Sequence, residues 1–186
     1  IARERAKENG LANIEFQEAD AESLNLPSSS FDAITCRFGL MFMPDVVGAL
    51  KTMRDALATE GKIAAAVWST PDKVPSFSLP FQIIAKETGT PPPPPGTPGP
   101  FNLADTGLLR QKFEQAGFRN ISIETSKRNF RLPSAEEFVD FVRSTAAPLS
   151  AMMAGLDAKR QQEIWNKVVV SSSRLYSAWR TPVPAL

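Results

Sequence analysis

The sequence predicts an α/β fold. Two short apolar runs, "FDAITCRF" at 31–38 and "KIAAAVW" at 62–68, have the near-continuous hydrophobicity of strands covered on both faces of a parallel sheet. The segment between them carries Val46, Leu50, Met53 and Leu57 at spacings of four, three and four, one apolar stripe of a helix. Glycines stand at the turns. Strand, helix and strand in that order form a βαβ unit.

In chain order, residues 2–9 are rich in Ala, Arg, Glu and Lys, good helix formers, and Asn9-Gly10 ends them with a glycine suited to the left-handed position. Ile14 and Phe16 alternate with Glu15 and Gln17, which predicts a strand over 14–19. "LNLPSSS" is loop-like. After the 31–38 strand, Pro44-Asp45 opens the helix and Glu60-Gly61 closes it. Beyond Trp68, "STPDKVPSFSLP" reads as a loop and "FQIIAKETG" as a short helix. "TPPPPPGTPGP" is a stiff connector, with an SH3-type ligand as the other use of such a tract. A helix over 106–116 is capped by Asp105 and stopped by Gly117, and 121–130 alternates as a strand. Ser134 to Glu137 is a capping box for a helix carrying Phe138, Phe141 and Val142. Asp157 opens a last helix with Ile164, Trp165, Val168, Leu175 and Trp179.

Composition narrows the chemistry. The 186 residues suffice for a real core, and 42% hydrophobic with 22% charged residues is ordinary for a globular protein. No histidine occurs and Cys36 is the lone cysteine, so Ser-His-Asp and Cys-His pairs and the usual zinc sites are excluded; no metal is expected. A net charge of +1 gives no reason to expect nucleic acid, although the first half leans acidic and the second basic. No apolar stretch reaches the roughly 18 residues of a membrane span. The sequence shows no basic-then-apolar leader pattern, and one cysteine fits a reducing compartment, so a cytoplasmic location is expected.

The stretch "NIEFQEADAESLNLPSSSFDAITCRFGLMFMPDVVGALKTMRDALATEGKIAAAVWS", with the helix before it, resembles the class I S-adenosylmethionine-dependent methyltransferases, and among them the group related to the ubiquinone/menaquinone biosynthesis C-methyltransferases. Three linked features carry the resemblance: an Asp-Ala pair after a strand, a Phe-Asp opening the next strand with an aromatic-Gly exit, and a glycine-closed helix before a third strand. It implies an incomplete Rossmann-like methyltransferase sheet with a helical substrate-cover region. The implied division is 1–69 as part of the cofactor-binding core, 70–133 as connector, proline-rich loop, helix and late core strand, and 134–186 as substrate cover.

The resemblance also implies the site. S-adenosylmethionine is the cofactor; Asp20 and Ala21 match the adenine-contacting pair, and Arg37, Phe38, Gly39 and Leu40 face its methionine end. The bland alternatives are a turn residue at Asp20 and a buried aromatic beside an ordinary turn at Phe38-Gly39. Glu22 and Asp32 receive no cofactor role, and Trp68 is either pocket floor or core. The implied partner is a small methyl acceptor, apolar if the helices cover it. No spacing selects a general base among Asp, Glu and Tyr176. The family's glycine-rich loop and ribose-binding acid have no counterpart, since Gly96 and Gly99 sit in the proline tract, and its last strand is missing as well. The chain therefore reads as a fragment, inactive alone. Of the family's strand order 3-2-1-4-5-7-6, only the fourth and fifth strands, 31–38 and 62–68, remain natural neighbours, and they should pair in parallel. A non-catalytic methyltransferase-like interaction domain is the alternative. A nucleotide-binding oxidoreductase fits the βαβ pattern but lacks its fingerprints.

Overall fold

The computed structural model describes residues 1–21, 23–127 and 134–179, with side chains given as far as residue 173. Its center is one parallel pair, β1 (Phe31–Arg37) and β2 (Leu57–Ala66), joined by α2 (Val46–Ala56). The ladder runs Ala33 to Lys62, Ile34 to Ile63, Thr35 to Ala64, Cys36 to Ala65 and Arg37 to Ala66. This is the expected pairing of the two apolar runs. Among the described residues no other strand joins the sheet.

The helices begin where short polar side chains can accept from free backbone N–H groups. The Asp45 carboxylate accepts from the Gly48 N–H at 2.9 Å at the start of α2. Asp105 does the same for Leu108 at 2.7 Å in α4 (Thr106–Gln115), and Ser134 for Glu137 at 3.2 Å in α5 (Ala135–Thr145). Asp157 accepts from the Arg160 N–H at 2.8 Å ahead of α7 (Ala158–Trp179). The first helix, α1, is Ala2–Glu8, with Gly10 at φ 66° behind it.

Four expectations are corrected. Residues 14–19 form no strand: Ile14 and Phe16 remain 43% and 36% exposed, and the segment is tied down by Arg3 donating to the Phe16 carbonyl at 3.0 Å. Alternation supplies a strand pattern, but a strand also needs a neighboring ladder and a surface to cover. Residues 121–127 likewise form no strand, and 128–130 lie outside the described residues. The described residues do not cover the β1–β2 sheet on both faces. Cys36 and Ile63 pack against the helices, whereas Ala33, Thr35, Ala64, Ala65 and Ala66 are exposed. Finally, α2 ends at Ala56 rather than at Glu60-Gly61, because the N–H groups of Ser29 and Ser30 donate to the carbonyls of Asp55 and Ala56 at 3.1 and 2.9 Å. Leu57 is then already strand, and residues 58–61 form an irregularity between the Phe31 and Ala33 pairings, with Glu60 at φ 65°.

Two apolar clusters hold the described chain. One gathers Leu40, Met41, Val46, Leu50, Leu103 and Ala116 around α2, α4 and the sheet. The other gathers Ile84, Val139, Val142, Leu149, Met153, Ile164, Trp165 and Val168 from α3 (Pro75–Thr88), α5, α6 (Ala147–Met152) and α7. Helix α3 is longer than predicted because Pro75 starts it, a residue suited to a first helical turn. The proline tract returns to the first cluster, where the Gly99 N–H donates to the Met41 carbonyl at 2.9 Å. No described helix is long and apolar enough to cross a membrane.

Glu87 links α3 to α7. Its carboxylate accepts from Lys167 and Arg160, each at 2.7 Å, and is 17% exposed. The hydrogen bond from Lys167 and the two positive charges hold its pKa below the ordinary glutamate value. The folded state thus prefers the ionised form. Its contribution is complete above the unfolded value, about 4.3, and is lost as pH falls through the lower folded one. Glu87→Gln should lower the melting temperature at pH 7, and the gap from wild type should close toward about pH 3 in thermal melts followed by circular dichroism.

Candidate functional site

Both strands point their carboxyl ends the same way, and there the chain departs from regular geometry. The Phe38 N–H still reaches the Ala66 carbonyl at 2.8 Å, extending the ladder by one bond. Phe38 itself turns to φ 55°, a region few residues other than glycine occupy, at a cost of about 1–3 kcal/mol. The turn lays its ring on Trp68, with centroids 4.2 Å apart and planes at 15°. Trp68 in turn meets Phe77 of α3 at 4.6 Å and 36°. The Arg37 guanidinium carbon lies 5.5 Å from the Phe38 ring center.

Gly39 follows, at φ −105°, and its requirement is space rather than handedness. A β-carbon there would stand 2.9 Å from the Cys36 sulfur. Leu40 then enters a 3-10 turn, Leu40–Phe42, and is fully buried in the first cluster, as is Met41. The four exit residues therefore differ in kind. Leu40 anchors, Gly39 allows the close turn, Phe38 stacks, and Arg37 is exposed.

Asp20 and Ala21 lie on a separate irregular stretch. Asp20 is exposed and its carbonyl accepts from the Ser23 N–H at 3.2 Å, so the pair opens a turn. Ala21 is half-buried. Glu22 and Tyr176 lie outside the residues whose side chains are described. Trp68 belongs to the exit group rather than to the deep core. Phe77 was missed in the sequence because its segment reads as a loop; Pro75, two residues before it, is the helix-start signal that would have placed it on α3.

Comparison with known proteins bears on this same segment. A methyltransferase domain family matches residues 1–65. Over that stretch the chain is similar to methyltransferases. Aklanonic acid methyltransferase DauC from Streptomyces sp. (strain C5) is 43% identical over 63 residues, covering 34% of this chain and 29% of that protein. The uncharacterized methyltransferase YcgJ of Bacillus subtilis (strain 168) is 39% identical over 62 residues, 33% of this chain and 24% of that one. A demethylmenaquinone methyltransferase of Listeria welshimeri is 35% identical over 81 residues, 44% of this chain and 34% of that one. The chain thus spans about a third or less of the length of these relatives. The methyltransferase match contains Asp20, Ala21 and the whole exit of β1, while Trp68 and Phe77 lie just past it.

The geometry at Gly39 yields a direct test. Gly39→Ala should destabilise the protein by about 1–3 kcal/mol through overpacking against the Cys36 sulfur. The double substitution Cys36→Ala with Gly39→Ala removes the obstructing atom and should recover most of that loss in urea denaturation, a non-additivity that marks direct contact.

Proposed function

We propose that this chain is part of an S-adenosylmethionine-dependent methyltransferase acting on a small acceptor, with the carboxyl ends of β1 and β2 forming one side of the donor site. The observation that carries this reading is the methyltransferase match over residues 1–65, which contains every residue proposed for the donor: Asp20, Ala21, Arg37, Phe38, Gly39 and Leu40. In a parallel sheet, ligands collect at the carboxyl ends of strands, and the irregular exit at Phe38-Gly39 lies there.

Each residue has a role suited to its setting. The exposed Asp20 carboxylate accepts from the adenine amino group, and the adjoining backbone N–H groups serve the ring nitrogens. Phe38, Gly39 and Leu40 form a rigid wall, held by the stack on one side and the buried leucine on the other. The sulfonium methyl supplied by the donor is already electrophilic. What remains for the protein is to hold the acceptor in line and keep water out, an orienting effect worth roughly 7–11 kcal/mol in favourable cases.

The relatives named for aklanonic acid and demethylmenaquinone support a small organic acceptor. We further propose that 1–69 supplies part of the donor-binding core, that 70–133 connects, and that 134–186 covers the acceptor. A cytoplasmic location accompanies this reading, supported by the free half-buried thiol of Cys36. No glycine-rich loop occurs among the 186 residues, so the chain alone is proposed to be inactive and to hold the donor weakly.

Ultraviolet cross-linking with methyl-labeled S-adenosylmethionine tests the donor site, because covalent capture registers weak binding. Label should appear in the peptides containing residues 20–21 or 37–40 and be competed by S-adenosylhomocysteine but not by ATP. Labeling spread evenly over the chain, or equal competition by ATP, would overturn the reading. Asp20→Asn should weaken donor binding by about 1–3 kcal/mol and leave the melting temperature nearly unchanged; unaltered labeling in that variant would return Asp20 to a turn residue.

A further inference from the structure

We propose that Arg37 is a receptor for a carboxylate presented at the carboxyl end of β1. The inference rests on the donor-site reading for its location and goes beyond it in naming the chemical group that Arg37 binds.

The first observation is how the guanidinium is held. It lies 5.5 Å from the center of the Phe38 ring, and that ring is clamped on Trp68 at 4.2 Å and 15°. A long side chain resting on a fixed aromatic face has already lost part of its rotamer freedom, so less is lost when it receives a ligand. The strained φ of Phe38 is what puts the ring under the cation.

The second observation is what the guanidinium lacks. Among the described residues no hydrogen bond or ion pair engages the Arg37 guanidinium, and the residue is exposed. Arg54 and Arg160, by contrast, are committed, Arg54 to Asp55 and the Ala116 carbonyl and Arg160 to Glu87 and Glu163, whereas Arg143 rests on the Trp165 ring at 5.4 Å, away from the strand exits. Among the described residues no acceptor takes the planar fork of Arg37 donors, a fork that can receive a carboxylate through two parallel bonds.

The surroundings set the ligand's charge. Arg37 pairs across the ladder with Ala66, and its neighbors along the two strands, Cys36, Phe38 and Val67, carry no formal charge. One guanidinium cation matches a single negative charge. A phosphate dianion would leave its second charge unmatched there. Two sources can present such a group: the amino-acid end of the methyl donor, or an acceptor that is itself a carboxylic acid.

Nuclear magnetic resonance of the arginine Nε–H groups in the 186-residue chain separates these sources, and it reads millimolar binding. Two pairs of probes differ only in the carboxylate: S-adenosylhomocysteine against its decarboxylated analogue, and 2-naphthoate against 2-naphthamide. The Arg37 signal should move saturably with at least one carboxylate, about tenfold tighter than with its uncharged or decarboxylated counterpart. The pair showing that preference identifies the source. Arg37→Gln should abolish the preference and Arg37→Lys retain a part of it, with the Trp68 indole N–H signal unmoved to show that the stack persists.

The proposal falls if acid and counterpart act alike in both pairs, if no probe moves Arg37, if all exposed arginines move equally, or if Arg37→Gln keeps the preference. Adenosyl ligands that shift residues 20–21 without any carboxylate effect would leave the donor site standing and remove this inference. Binding of naphthoate through Arg37 with no response to either adenosyl ligand would do the reverse.

Discussion

The parallel ladder between β1 and β2 is the constraint on which the candidate site depends. Because Cys36 faces Ala65 and Arg37 faces Ala66, the two strands release their chains at the same level. Phe38 and Trp68 then lie close enough to stack. A shift of one residue in that register would turn each side chain of a strand to the opposite face. It would take Cys36 and Ile63 off the helices and separate the aromatic pair. The ladder is short, so its alignment relies on packing at both ends: the bonds of Ser29 and Ser30 to the end of α2 at one, the aromatic stack at the other.

Helix α3 joins that arrangement to the rest of the described chain. Near its start Phe77 meets Trp68, beside the exit of β2, while farther along Ile84 is buried among α5, α6 and α7. Movement of the helical group therefore bears on the aromatic stack through one rigid element. The half-buried Glu87, with cations from α7 on it, adds direction to an otherwise apolar contact. An ion pair of this kind selects one alignment of two helices more than it adds stability, since both partners give up hydration to form it.

The backbone strain is local and has a visible counterweight. Placing an aromatic residue rather than the neighboring glycine in the left-handed region is unfavourable in isolation. Here Phe38 takes that conformation and Gly39 does not, because the stack rewards the aromatic ring and the Cys36 sulfur excludes a β-carbon at Gly39. The exit is consequently a shaped surface: Arg37 outward, Phe38 across, Leu40 inward.

Much of the local structure was legible without coordinates. The caps at Asp45, Asp105, Ser134 and Asp157 were readable because a short acceptor side chain serves N–H groups two or three residues away, an interaction contained in the sequence window itself. The pairing of 31–38 with 62–68 was readable because a short helical connection leaves two apolar strands little choice but to lie parallel and adjacent. Residues 14–19 and 121–127 carry equally good alternation and form no strand, since a strand exists only with a partner and a face to cover, and both come from elsewhere in the fold. The stack of Phe38 on Trp68 and Phe77 was likewise out of reach of local reasoning. By itself the sequence determined the capped helix starts, the parallel pair and the resemblance of residues 1–65 to methyltransferases. Tertiary structure decided which alternating segments became strands and which side chains meet at the exit of β1, because those outcomes depend on contacts between residues distant along the chain.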